Sequence, residues 1–163
     1  MIKYLCDLMR GGKTVENMIL IKVHGGLSRE TIRNKVTEAI QVARENKEKF
    51  NVKLTVLFFD EANTTANIGL IKDLMVDRKN SGVHLPEDST LQFICAVNPY
   101  RVHTPEMIEK LESSGLGYRI QADETKDRIG TVPLRQLVYR VHKLPVRLFD
   151  YVWDFGQPSE VIF

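Results

Sequence analysis

The sequence predicts an α/β domain built on a mostly parallel sheet with helices on both faces. Three observations carry that expectation. Short apolar, β-branched runs alternate with longer stretches of helical apolar periodicity. The runs at Asn17–His24, Lys53–Phe59 and Leu91–Val97 end abruptly in glycine or polar residues, as strands buried on both faces do. The order strand, helix, strand, helix, strand, helix, strand needs crossover connections, which make neighbouring strands parallel.

Each element has its own grounds. Ile2, Leu5, Cys6 and Met9 lie at helical spacing, and Arg10-Gly11-Gly12 supplies a stop. Asn17–His24 is too short and too β-branched for a helix and closes at Gly25-Gly26. Ser28 is a candidate N-cap for an amphipathic helix with Ile32, Val36, Ala39, Ile40 and Ala43 on one stripe, expected to fade in the charged stretch Glu45–Lys49. After the strand Lys53–Phe59, a helix is expected from Thr65 to Lys79, with Ile68, Ile71 and Met75 on its stripe and a stop at Ser81-Gly82. Leu85–Thr90 reads as a loop and Leu91–Val97 as the next strand. Thr104-Pro105-Glu106 combines a capping hydroxyl, a first-turn proline and an acid, so a helix starts there and ends by Gly115–Gly117. Ala122–Gly130 is expected to be a polar surface loop and Leu137–His142 a final strand. The division drawn from this pass is an α/β domain over residues 1–145 and, over 146–163, an apolar helical tail carrying Trp153 that docks on the body.

Composition narrows the partners. A chain of 163 residues that is 43% hydrophobic and 27% charged suits one globular domain and excludes collagen-like, low-complexity and disulfide-scaffold classes. A formal charge of +2 provides no broad positive field, so nucleic acid is not an expected partner. No apolar run approaches the roughly 20 residues of a membrane span, and no secretory signal is evident. Cys6 and Cys95 lie inside apolar segments and read as buried free thiols in a reducing, cytosolic compartment. The histidines at 24, 84, 103 and 142 have no metal-ligand spacing, and no serine sits in a Gly-x-Ser-x-Gly elbow.

The chemistry concentrates at strand ends, where open parallel sheets gather ligands. Val56-Leu57-Phe58-Phe59-Asp60-Glu61 is four apolar residues followed by two acids, the Walker B pattern. In that order the first carboxylate, Asp60, can hold a magnesium ion through its water shell, and the second, Glu61, can polarise a water for attack on a terminal phosphate. Taken alone, the hexapeptide is equally well an ordinary strand leaving the core into a charged loop. Asn98 ends the next expected strand, and an amide there can donate to a phosphate or position the attacking water. Gly11-Gly12-Lys13-Thr14 ends like a Walker A loop, but Asp7 stands where that pattern needs glycine and no strand precedes it. It reads as a helix-to-strand turn.

At these residues the sequence resembles the AAA+ ATPases, and within them the dynein-like core of the mysterin-type giant RING E3 ubiquitin ligases. The most specific stretches are Ile2-Lys3-Tyr4-Leu5-Cys6-Asp7-Leu8, Lys22-Val23-His24-Gly25-Gly26, Leu57-Phe58-Phe59-Asp60-Glu61-Ala62-Asn63-Thr64-Thr65, Ile68–Met75, Phe93–Arg101, Leu137–His142 and Val152–Gly156. The resemblance implies a three-layer P-loop NTPase sheet that lacks its first strand and phosphate loop. It implies Asp60 and Glu61 as Walker B, Asn98 as sensor one, and ATP with Mg2+ as cofactors of the complete module. Asp60, Glu61 and Asn98 then contact the nucleotide and Asp60 the metal, while Glu61, Asn98 and Arg135 serve catalysis. Arg135 matches the place of an arginine that reaches a neighbouring module's nucleotide; a plain surface arginine is the alternative. The implied partners are neighbouring AAA+ modules and the ubiquitin machinery, and 146–163 would begin a lid. No RING finger is present, since two cysteines cannot build one.

Without a phosphate cradle the chain alone is expected to show no ATPase activity, and the gap left by the missing strand implies a sheet divided around Leu137–His142 or one that closes up. Two other functions compete: a scaffold module that binds no nucleotide, and a small receiver-like domain using its acids for metal. The adjacent acids followed by Asn98 suit an ATPase better than a phosphate-accepting receiver.

Overall fold

The computed structural model describes residues 1–87, 89–117, 121 and 123–156. The amphipathic start forms α1 (Ile2–Met9). Gly11 and Gly12 follow at φ 61° and 76°, a left-handed conformation that costs glycine no Cβ clash. Lys13 Nζ donates to Asn51 O at 3.1 Å, so Gly11–Thr14 is a turn between α1 and β1 (Met18–Lys22), as its sequence indicates.

Ser28 caps α2 (Arg29–Phe50), its hydroxyl accepting from Thr31 N at 3.0 Å. The helix does not fade at Glu45. Gln41 and Lys49 both bond the Glu45 carboxylate, at 3.0 and 3.1 Å, and such i,i+4 pairs support a charged helix end. Asn51, left-handed at φ 49°, then terminates it. β2 (Thr55–Asp60) precedes a 3-10 turn at Ala62–Thr64 and α3 (Ile68–Met75).

The helix expected over Thr65–Lys79 is therefore shorter at both ends. Beyond it, β3 (Lys79–Asn80) pairs antiparallel with β4 (Val83–His84). Ser81 and Gly82 both have positive φ, 56° and 84°, which is what a two-residue hairpin loop of primed type requires. The Ser-Gly pair is a hairpin turn rather than a helix stop. β5 (Leu91–Cys95) follows, then α4 (Pro105–Ser113), whose cap Thr104 accepts from Met107 N at 3.3 Å. The polar segment expected to be loop holds part of a second hairpin, β6 (Arg128–Ile129) with β7 (Val132–Pro133); Ala122, at its start, lies outside the described residues.

β1, β2 and β5 form one parallel sheet in the order β1-β2-β5. All three strands therefore end on the same edge. Register places Ile19, Leu57 and Phe93 in one row and Ile21, Phe59 and Cys95 in the next. These rows share a face with the core, where Ile32, Val36, Ala39 and Ala43 of α2 and Ile68, Ile71 and Leu74 of α3 pack. α1 flanks the other face, with Cys6 buried. Buried Asn17 ties it to the sheet, donating to Cys6 O at 2.8 Å and Leu54 O at 3.3 Å. This is a three-layer α/β arrangement of the P-loop NTPase kind.

Leu137–His142 is not a strand. Leu137 makes a single antiparallel bridge to Val102, with Val138 N donating to Arg101 O at 2.7 Å and His103 N to Gln136 O at 2.9 Å. The segment's start is bonded to the loop after β5 and its end, through His142 N, to Asn63 O at 2.7 Å in the turn after β2, and it does not join the sheet. Neither the divided nor the closed-up arrangement forms. Among the described residues β5 keeps an open outer edge, bordering a groove of about 580 Å³ lined by Phe58, Phe93, Ile94, Met75, Trp153 and Phe155. The tail also departs from expectation. Val146–Tyr151 is a 3-10 helix that buries Leu148, but Trp153 and Phe155 are each 82% exposed. Residues 157–163 lie outside the described chain. No described helix is long and apolar enough to cross a membrane.

Candidate functional site

The common edge where β1, β2 and β5 end is where the two acids and the amide emerge. Ladder bonds fix the geometry. Thr55 N donates to Thr90 O at 3.1 Å and Ala96 N to Phe59 O at 2.8 Å, so alternate residues of β2 and β5 exchange bonds. Continuing that alternation, Glu61 N would meet Ala96 O. Instead Ala62 N makes that bond, at 2.8 Å, and Glu61 is stepped over with φ 55°. A non-glycine residue in the left-handed region is uncommon, and such strain gathers at functional sites.

Thr64 stitches the turn, its N and its Oγ1 each donating to Glu61 O at 2.9 Å, and Oγ1 also reaching Val23 O at 3.2 Å. Glu61 is exposed and Asp60 half-buried. Asp60 O accepts from Val23 N at 3.0 Å, which keeps the carboxylate-bearing residue in the sheet. Among the described residues neither carboxylate has an ion-pair partner, so both stand open to a cation or a water.

Asn98 lies three residues past β5, and its Nδ2 donates to Glu61 Oε1 at 3.3 Å. The amide and the second acid are thus brought together. Arg135 is not brought to them. It is exposed in a 3-10 turn at Leu134–Gln136, and among the described residues no hydrogen bond or ion pair links it to Asp60, Glu61 or Asn98.

Two further residues, which the sequence pattern did not single out, organise this edge. Asn63, 1% exposed, bonds the backbone of Asn98 in both directions: its Nδ2 donates to Asn98 O at 2.8 Å and its Oδ1 accepts from Asn98 N at 3.0 Å. Tyr100 Oη donates to His142 O at 2.9 Å and accepts from Leu144 N at 2.6 Å. The sequence hinted at Asn63 only through its place two residues after Glu61, inside the Leu57–Thr65 stretch, where it reads as one more polar loop residue.

The histidines and cysteines add no second centre. Among the described residues no three His, Cys, Asp or Glu side chains group as metal ligands. Burial pushes the Cys95 thiol up to about 12, and its sulfur lies 3.2 Å from Met75 Sδ. Burial also raises Cys6, helped by Asp7 and Glu16. Both thiols are free, and burial favours the protonated form of each.

The edge therefore combines two carboxylates, an amide aimed at one of them, and a backbone turn that holds them in register. The site fits Mg2+ of the kind held mainly by waters and substrate phosphates, which needs only one or two protein carboxylates. Residues 1–101 match the family described as the RNF213 AAA domain. The chain is 54% identical over 160 residues to the E3 ubiquitin-protein ligase rnf213-beta of Danio rerio, covering 98% of this chain and 3% of that protein. It is 55% identical to RNF213 of Mus musculus over 160 residues and 53% identical to RNF213 of Homo sapiens over 161. Coverage is 98% and 99% of this chain respectively, and 3% of each relative, so the chain spans a small fraction of the curated relatives' length. With an α/β sheet of this order and similarity that runs almost end to end, the chain belongs to the RNF213 AAA-domain family of AAA+ modules.

Proposed function

We propose that this chain is the Walker B and sensor portion of a magnesium-dependent ATPase module in a mysterin-like E3 ubiquitin ligase. The observation that carries the reading is the 3.3 Å bond from Asn98 Nδ2 to Glu61 Oε1, which joins the ends of two parallel strands at one edge. In this reading Asp60 would hold Mg2+, Glu61 would accept a proton from the attacking water, and Asn98 would keep the Glu61 carboxylate in place and donate to the phosphate side of the site. When bound, ATP with Mg2+ would supply the terminal phosphoryl group, which water would take up as ADP leaves. Catalysis of this type is chiefly positioning and electrostatic stabilisation, so it needs the phosphate cradle, which none of the described residues provides.

Arg135 is assigned to a neighbouring module's nucleotide, because it stands exposed and clear of this edge. Neighbouring AAA+ modules and, through the complete polypeptide, the ubiquitin machinery are the partners, in the cytoplasm. In this reading residues 1–145 belong to the partial ATPase domain and 146–163 to a helical tail or the start of a lid, of which 157–163 lie outside the described residues.

The test is turnover in the complete polypeptide that carries this segment. Glu61→Gln should retain ATP binding and lower turnover at this module by about a hundredfold or more, while the 163-residue chain alone should hydrolyse nothing measurable. Unchanged turnover in Glu61→Gln, together with no photolabelling of Asp60–Asn98 by an azido-ATP, would leave the scaffold reading in its place.

A further inference from the structure

We infer that Asn63 is the positioning residue of this site: its buried carboxamide sets where the Asn98 side chain stands relative to Glu61. The inference rests on the ATPase reading above and goes beyond it.

Three observations lead to it. A carboxamide carries one donor and one acceptor side by side, the pair needed to bond both the N–H and the C=O of a single residue. Asn63 uses both on Asn98, at 2.8 and 3.0 Å, and so reproduces in side-chain form the exchange that ladder residues make with backbone. Asn63 sits two residues after Glu61 in the turn whose backbone is stitched to Glu61 O and Val23 O. The acid and the backbone that carries the amide are therefore held from one short turn. Finally, Asn63 O accepts from His142 N at 2.7 Å, and the following backbone is gripped by Tyr100 Oη. The clamp thus also fixes the segment that leads into Val146–Tyr151.

β5 ends at Cys95, and its last ladder bonds are those of Ala96. Beyond them, among the described residues, the Asn98 backbone is bonded by Asn63 alone. Removing the carboxamide frees the Asn98 peptide and lets its side chain leave Glu61. A shift of about 1 Å in a positioned group can cost about a hundredfold in rate. Binding of ATP does not require that bond, so the loss should fall on kcat and not on KM.

The experiment compares Asn63→Ala with Asn17→Ala in the complete polypeptide, reading only the turnover that Glu61→Gln removes. Asn17 is an equally buried asparagine with two backbone bonds. It lies at the opposite end of the sheet, so it controls for a merely structural loss. Asn63→Ala should lower kcat by about tenfold to a hundredfold with KM for ATP within about twofold; Asn17→Ala should leave kcat unchanged per folded molecule. If Asn63→Ala does not fold, Asn63→Ser, which keeps one donor and acceptor oxygen, is read by the same criteria. Equal kcat losses in the Asn17 and Asn63 variants, or a kcat in the Asn63 variant within about twofold of wild type, overturn the inference while the ATPase reading stands. No Glu61-dependent turnover in the wild type overturns both.

Discussion

Glu61 shows how one residue can be asked to serve against its own preference. Its φ of 55° places a side chain with a Cβ where L-residues incur about 1–2 kcal/mol of steric cost. Glycine would relax that, less the entropy it loses on folding. Glu61→Gly is therefore expected to raise stability by about 0.5–1 kcal/mol in urea unfolding, while Glu61→Gln, which keeps the Cβ, gains nothing. A destabilised Glu61→Gly would show that the turn is relaxed with a side chain in place. Asn63 is the converse case: a buried polar residue fully satisfied by its bonds, whose meaning lies in what it holds. Nothing in the local sequence separates it from Asn67, the N-cap position of α3, which donates to Leu27 O at 2.9 Å.

At the scale of the elements, the sheet is strongest where its strands have neighbours on both sides. β2 is central, with Val56, Leu57 and Phe59 at most 1% exposed. Among the described residues β5 has a strand partner on one side only. Since Ala96 N faces β2, alternation turns the N–H groups of Phe93 and Cys95 to the free edge. One outward carbonyl, Leu91 O, is taken by both terminal nitrogens of Arg78 at 3.3 Å, and that guanidinium also stands 5.4 Å over the Phe93 ring. The edge is thus partly guarded by a cation, one of the usual protections of an open strand. Hydrogen exchange monitored by NMR should find the Phe93 and Cys95 amides fast and those of Leu57 and Phe59 slow. Comparable protection in both strands would mean that something pairs the outer edge of β5 in solution.

Across the whole molecule, charge holds the peripheral pieces while apolar packing holds the centre. Lys72 bonds Asp73 and Asp77, the latter at 2.6 Å, and Arg147 reaches Asp77 at 3.5 Å, tying the 146–151 turn to the end of α3. Hydrogen bonding to Lys72, then its charge and those of Arg147 and Lys79, hold the Asp77 carboxyl below its ordinary range against the effect of burial. Glu45 is lowered by Gln41 and Lys49, and Glu106 by its own backbone amide and the Thr104 hydroxyl. In each case the unfolded chain takes up its proton at a higher pH than the folded one, near the ordinary carboxylate value of about 4. The stabilisation is therefore present above that value and is lost as pH falls through the depressed folded values. Urea midpoints should fall from pH 5.5 toward pH 2.5, and Asp77→Asn should flatten part of that slope. An unaltered slope in Asp77→Asn would remove the tail tie from the account.

Much of this arrangement was legible in the sequence. The three sheet strands, the Ser28 and Thr104 caps, the Gly-Gly-Lys-Thr turn and the meeting of Glu61 with Asn98 all follow from local patterns. The failures have a common cause. Leu137–His142 has strand-like residues, but β propensity depends on what lies alongside, and here the neighbours are the loop after β5 and the turn after β2. Trp153 is apolar enough to dock, yet among the described residues of its segment only Leu148 reaches the core. Partner choice, rather than residue type, decided both, and a single sequence does not display partners.

The missed ladder step at Glu61 also governs where charge can live. In a strand that kept strict alternation, Glu61 would project to the same side as Phe59, which is 0% exposed in the apolar core. A carboxylate forced there unpaired would cost several kcal/mol, as an order of magnitude. By dropping one beat in the count, the chain carries the second acid out of the oily interior and over to the rim beside its amide. A one-residue deletion in the turn at 61–64 would restore the beat and turn the sheet's own regularity against the acid.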